Sequence, residues 1–124
     1  MQPNIQLITS DDTLVRDVRH ALSSHTSQIK TASYHEQILD DLNQNRPQVL
    51  LLDIENSQQL KAMEIIRFMR GRQYLRKVPI IVVVDNPTRE TLLSIQRFGI
   101  RDMLVRDSLS QNLQNRVKKY LQET

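Results

Sequence analysis

Between Pro47 and Asp53 the chain reads Pro-Gln-Val-Leu-Leu-Leu-Asp, four consecutive apolar residues closed by an acid. A run of this length, opened by a proline, is too short for a helix and predicts a strand buried on both faces. Such a strand predicts a parallel sheet covered by helices. A second run of the same kind, Val78 to Val84, carries its proline near the start, where a strand tolerates one. Asp53 falls at the carboxyl end of the first run, the edge where open parallel sheets bind ligands. The alternative for Asp53 alone is a loop aspartate that caps the segment after it.

The rest of the chain alternates around these two runs. Asn4 to Thr9 is a short β-prone stretch, followed by the acidic turn Ser10-Asp11-Asp12-Thr13 and a helix with Leu14, Val15, Val18, Ala21 and Leu22 on one face. Ile29, Thr31 and Ser33 alternate as in a short strand, and Ile38, Leu39 and Leu42 mark a second helix. After Asp53 comes the polar loop Ile54 to Ser57, then a helix with Leu60, Met63, Ile66 and Met69 aligned and Gly71 as its stop. Arg67, Arg70, Arg72, Arg76 and Lys77 gather at that helix's C-terminal end. There they complement the helix dipole as a solvated face, a polyanion site being the alternative.

Beyond Val84, Asn86 and Pro87 are expected to cap and open a helix with Thr91, Leu92, Ile95 and Phe98 inward, ended by Gly99. Ile100 to Val105 supplies a fifth strand. Ser108 and Gln111 form a capping box for a last helix carrying Leu109, Leu113, Val117, Tyr120 and Leu121. Five strands alternating with five helices predict right-handed βαβ units: an α/β, flavodoxin-like, doubly wound five-stranded parallel sheet of order 2-1-3-4-5, with helices on both faces. Residues 1–124 form one domain, with no internal repeat, linker or low-complexity segment.

Composition removes several classes of function. With no cysteine there is no disulfide framework, thiolate metal site or cysteine nucleophile, and a reducing cytoplasm is the expected setting. No apolar run of signal-peptide or membrane-span length occurs, so a soluble protein with no membrane partner is expected. The net charge of +3, from 17 basic and 14 acidic residues, is ordinary for a globular surface, and aromatics are only 4% of the chain, so direct nucleic-acid binding is not expected. The two glycines, Gly71 and Gly99, are helix stops, which leaves no phosphate-binding glycine loop. His20, His25 and His35 have no mutual spacing suited to a metal.

In the flavodoxin-like order the first and third strands are neighbours, so their carboxyl ends converge and Asp11, Asp12 and Asp53 are expected to share a pocket. Three carboxylates held together repel unless a cation intervenes. An all-oxygen cluster suits Mg²⁺, with water and a phosphate completing its octahedron. Arg106, at the carboxyl end of the fifth strand, is placed to reach the same pocket.

At these residues the chain resembles the receiver domains of two-component response regulators. The resemblance is carried by Ile8-Thr9-Ser10-Asp11-Asp12, Val49 to Asp53, Val78 to Val84 and Phe98 to Arg106, and it covers essentially the whole chain. It implies a regulatory domain rather than an enzyme: Asp53 accepts a phosphoryl group from a histidine kinase or phosphotransfer protein. Mg²⁺ would be held by Asp11, Asp12, Asp53 and the backbone carbonyl of Glu55. Signals would leave through the fourth helix, fifth strand and fifth helix, toward a downstream protein or effector domain or into a homodimer. On that face the sequence offers Arg89, Glu90, Leu93, Arg97, Arg101, Asp102, Arg116 and Lys119.

Departures from the family are specific. Ser10 stands where the family has its first acid, with Asp12 able to supply the lost charge. Val84 replaces a Ser/Thr that bonds the phosphoryl oxygen, and a valine has no hydroxyl. Met103 replaces the aromatic switch residue, Arg106 the lysine and Asp107 the proline after it, and Asn56-Ser57-Gln58 replaces a Pro-Gly turn. The second reading is therefore a pseudo-receiver, a phosphorylation-independent protein-interaction module. A Mg²⁺-dependent phosphatase would need a second acid soon after the nucleophile. Glu55 is the one candidate, and the receiver pattern accounts for it.

Overall fold

The computed structural model describes residues 4–23, 28–54, 59–100 and 102–122. The order is β1 (Asn4–Ile8), α1 (Asp12–Ala21), β2 (Gln28–Ala32), α2 (Ile38–Gln44), β3 (Val49–Ile54), α3 (Gln59–Arg70), β4 (Ile80–Val84), α4 (Arg89–Arg97), β5 (Asp102–Val105) and α5 (Leu109–Gln122). All neighbouring strands pair in parallel, in the order β2-β1-β3-β4-β5. The doubly wound sheet expected from the alternation is the one observed.

Every residue of β3 and β4 is buried, as continuous apolar runs require of strands covered on both sides. Alternate side chains divide between two cores. Ile5, Leu7, Val49, Leu51, Ile81, Val83 and Leu104 pack with Leu14 and Val18 of α1 and Leu109, Leu113 and Val117 of α5. Ile8, Leu50, Leu52, Ile80, Val82 and Val84 pack with α2, α3 and Ile95 of α4 on the other face. The carboxyl ends are level: Ile8 lies opposite Leu52, Asp53 opposite Val83, and Val84 opposite Val105.

Local expectations fail in instructive ways. Leu60 is 86% exposed, although it belongs to the series Leu60, Met63, Ile66, Met69. A step of three residues falls about 60° short of a full turn, so that series drifts around the helix. The buried stripe is centred on Ala62, Ile65, Ile66 and Met69, nearly opposite Leu60. The same geometry leaves Leu92 at the margin of α4's buried stripe, set by Thr91 and Ile95. Asn86 and Pro87 do not start α4. Thr88 is its cap, accepting from the Thr91 N–H at 3.1 Å, so the helix begins two residues later.

Strand β5 begins at Asp102 rather than Ile100. Gly99 turns the chain at φ 75°, and the Ile100 N–H still bonds the Ile95 carbonyl at 3.2 Å as part of the helix end. In place of a capping box, a 3-10 turn over Arg106–Ser108 leads into α5, and the Ser108 hydroxyl donates back to the Val105 carbonyl. Asp102, expected on an outward face, is buried and ion-paired with Arg116 of α5. Among the described residues no helix is long and apolar enough to cross a membrane.

Candidate functional site

Three elements deliver the site to the carboxyl edge of the sheet. Asp53 is the penultimate residue of buried β3 and is only 2% exposed. Asp11 follows β1 as the cap of α1, its Oδ1 accepting the Thr13 N–H at 2.8 Å. Arg106 follows β5 directly. Its guanidinium spans the two acids, with Nη1 donating to Asp11 Oδ2 at 2.7 Å and Nη2 to Asp53 Oδ2 at 3.2 Å. Asp11, Asp53, Ile54, Val84, Asp85 and Arg106 line, with the start of α4, a cleft of about 230 Å³.

Around Asp53 the polar contacts are dense. The Thr9 hydroxyl donates to Asp53 Oδ2 at 2.6 Å and accepts the Asp11 N–H at 3.0 Å, tying the two acids together. The Tyr34 hydroxyl donates to the Asp53 backbone carbonyl at 3.2 Å. Asp11 is held below the ordinary carboxylate value, first by its bond from Arg106 and then by the Thr13 N–H. Burial disfavours charge on Arg106, but the Asp11 bond and the carboxylates of Asp53, Asp11 and Asp85 outweigh it, and its pKa is raised.

The structure thus brings Asp11, Asp53, Arg106 and Val84 together. It does not bring Asp12 to them: with Asp11 as the cap, Asp12 is the first helical residue, exposed and outside the cleft lining. Ser10 is also exposed, and Thr9 is the side chain that lies against Asp53. Glu55 and the Asn56-Ser57-Gln58 turn lie outside the described residues, as do His25 and Arg101. His20 is exposed on α1, and His35 pairs loosely with Asp41 at 3.6 Å. Met103 is half-buried and lines a separate cavity with Leu92, Ile95 and Ile100.

Sequence reasoning missed three members of the site. Thr9 was read as the end of a strand, although its place one residue beyond β1, level with Asp53, follows from the predicted strand order. Asp85 belongs, with Asn86 and Pro87, to the turn expected after the fourth strand. Tyr34 gave no signal, because a hydroxyl reaching a backbone carbonyl leaves no pattern in sequence.

Mg²⁺ is commonly held by one or two carboxylates, with water and phosphate oxygens filling the other positions. Asp11 and Asp53 match that requirement in number and chemistry, although Arg106 now takes one oxygen of each. Among the described residues no group of three or more His, Asp or Glu side chains is disposed to hold a metal. The Nε of Arg106 is buried with no acceptor among the described residues, a donor left for a bound oxygen to fill.

No protein-family model matches the chain, and no curated protein matches its sequence. Solved structures do match. The chemotaxis protein CheY4 of Vibrio cholerae is 15% identical, with 97% of this chain and 99% of that one covered and a TM-score of 0.81. A CheY-like protein (tadZ) from Pseudomonas aeruginosa PAO1 is 15% identical over 96% and 99% of the two chains, with a TM-score of 0.79. A CheY-like response regulator from Mesorhizobium loti is 22% identical over 97% and 99%, with a TM-score of 0.73. The fold is that of these CheY-like structures, with 96–97% of the chain covered in the three comparisons.

Proposed function

We propose that the domain is a receiver-type module of two-component signalling, in which Asp53 accepts a phosphoryl group from a histidine kinase or phosphotransfer protein. The observation that carries this reading is the convergence of Asp53, Asp11 and Arg106 on one cleft at the sheet's carboxyl edge. A carboxylate oxygen of Asp53 would form the new P–O bond as the bond to the donor's leaving group breaks in line. Phosphoryl transfer asks little more of a protein than position and charge neutralisation. Arg106 supplies a fixed cation for the transferred oxygens, and its unmatched Nε a further donor. Thr9 and Tyr34 hold the carboxylate and backbone of Asp53 in place. Asp11 and Asp53 would hold Mg²⁺, which would supply positive charge to offset that on the transferred phosphoryl group.

The test is incubation with Mg²⁺ and acetyl phosphate, or with beryllium fluoride, read by intact mass or NMR. A modification that maps to Asp53 and is absent in Asp53→Ala supports the acceptor role. No change under saturating donor removes it.

One observation favours a second reading, the phosphorylation-independent interaction module. Val84 presents no hydroxyl to the cleft, and Arg106 already pairs with one oxygen of each acid. A ligand that makes no differential contact with two states shifts no equilibrium between them. Equal partner affinity with and without phosphodonor, and in wild type and Asp53→Ala, selects this reading. A homodimer or effector contact through α4, β5 and α5 would centre on Leu93, which is 48% exposed. Sedimentation of wild type and Arg97→Glu at low and high salt tests it, a monomer throughout arguing against the dimer.

A further inference from the structure

The opposite edge of the sheet carries the reverse charge. The C-terminal end of α3 reaches the amino ends of the strands, and there Arg67, Arg70, Arg72, Arg76 and Lys77 are joined by Arg46, which precedes β3. Among the described residues none of these six cations takes part in an ion pair. Four of them, Arg46, Arg67, Arg70 and Arg72, rest on rings or backbone oxygens instead. Arg72 lies 4.4 Å from the ring centre of Phe68, Arg67 5.4 Å from Phe98 and Arg46 5.7 Å from Tyr74.

Arg70 is half-buried, and its Nη1 donates to the carbonyls of Arg76 at 2.7 Å and Val78 at 3.1 Å. Burial pulls its guanidinium below the ordinary value, with no carboxylate to offset the loss of water. Arg70, Arg76 and Lys77 line a cleft of about 280 Å³ along the lead into β4. The one carboxylate in that lining, Asp102, is already paired with Arg116. Beside the arginines Tyr74 is 58% exposed, with the Arg46 Nε donating to its backbone carbonyl at 2.8 Å.

We propose that this edge binds single-stranded nucleic acid, with backbone phosphates on Arg70, Arg76 and Lys77 and a base stacked on Tyr74. A partly desolvated cation without an acid is matched by an anionic oxygen, and the guanidinium fork fits phosphate in two directions. Tyr74 lies outside the lining of that cleft, against Arg46 on the same basic edge, and an exposed ring there suits an unpaired base, whatever its identity. An anionic membrane fits less well, because the other large exposed apolar side chains lie elsewhere, Leu60 at the opposite end of α3 and Leu92 and Leu93 on α4. The sequence pI of about 9.5 agrees in sign.

The experiment is fluorescence anisotropy with labelled oligothymidine and mixed-sequence RNA of about 20 nucleotides. Binding should weaken linearly in log–log salt with a slope of roughly −2 to −3, as for three or four contacted phosphates. Arg76→Glu with Lys77→Glu should weaken it at least about tenfold. Tyr74→Ala should weaken it by about fivefold or more, the low end of one stacked base, and should not weaken duplex binding. Arg16→Glu, an exposed α1 change, should leave it within about twofold. If the double reversal does not fold, Arg76→Gln with Lys77→Gln replaces it.

The proposal is overturned by no binding at the lowest salt, or by equal effects of the Arg76/Lys77 and Arg16 changes. A preference for duplex that is indifferent to Tyr74 also overturns it. So does binding to phosphatidylserine vesicles without binding to either oligonucleotide, which would assign the edge to a lipid surface.

Discussion

Arg106 meets Asp11 across 95 positions of sequence, its Nη1 lying 2.7 Å from Asp11 Oδ2. The 2-1-3-4-5 order allows this contact, since it places β1 and β3 beside each other and brings the carboxyl end of β5 to the same edge. The guanidinium also holds Asp53, so one cation serves two carboxylates and leaves the cluster with an excess of negative charge. Such a cluster tolerates a second cation and rewards one when the first is removed.

Arg106→Ala should therefore cost about 1–3 kcal/mol, the range for hydrogen bonds to charged groups left without a partner. Mg²⁺ should raise the variant's melting temperature more than that of wild type, because a ligand stabilises by its affinity for the folded state alone. Thermal denaturation with and without Mg²⁺ measures both. Equal responses in the two proteins would mean that Asp11 and Asp53 do not take the cation together.

Acid should act through Asp11. Its folded pKa is depressed, so its contribution to stability is complete above the unfolded value and is lost as pH falls through the folded one, below about pH 4. Asp11→Asn removes that dependence. Urea unfolding of the two proteins should differ most near neutrality and converge in acid. A gap that stays constant down to about pH 2.5 would contradict the assignment.

How much of this was readable in the sequence depends on the scale of the interaction. The sheet follows from β3 and β4, because a continuous apolar run admits few alternatives, and Asp53 and Arg106 follow as the residues at the carboxyl ends of their strands. Asp12 was misplaced because capping is decided by one backbone turn, and Asp11 and Asp12 compete for it with identical side chains. Asp102 was misplaced because an acid on a short edge strand looks solvated until a partner, Arg116, arrives from another helix. Leu60 was misplaced by a spacing of three, which only a count of angles corrects. The basic edge was seen as a cluster, but its lack of acidic neighbours is a property of the fold.

Val84 is buried at 2% exposure, level with Ile54 and Val105, and lines the cleft. Val84→Thr keeps the shape and adds a hydroxyl, at a cost of about 1–3 kcal/mol if that hydroxyl finds no partner. It should speed labelling of Asp53 by acetyl phosphate severalfold, since a donor near the transferred oxygens acts on the transition state. The rate is read by intact mass over time. Labelling no faster than wild type, in a variant that melts normally, would deny position 84 a part in the chemistry.

Asp102 and Arg116 make the last prediction. Asp102 is buried at 9% exposure and its carboxylate is held by Arg116, which is 42% exposed at its side chain. Removing the arginine strands a buried charge, whereas removing both charges leaves an apolar contact between β5 and α5. Arg116→Met should therefore destabilise by about 1–3 kcal/mol, below the full range for buried pairs because Arg116 is partly solvated. Asp102→Leu combined with Arg116→Met should recover most of that loss. Urea denaturation of the single and double variants closes the cycle. Two single effects that simply add would show the pair to be a solvated surface contact, and the burial of Asp102 would then need another explanation.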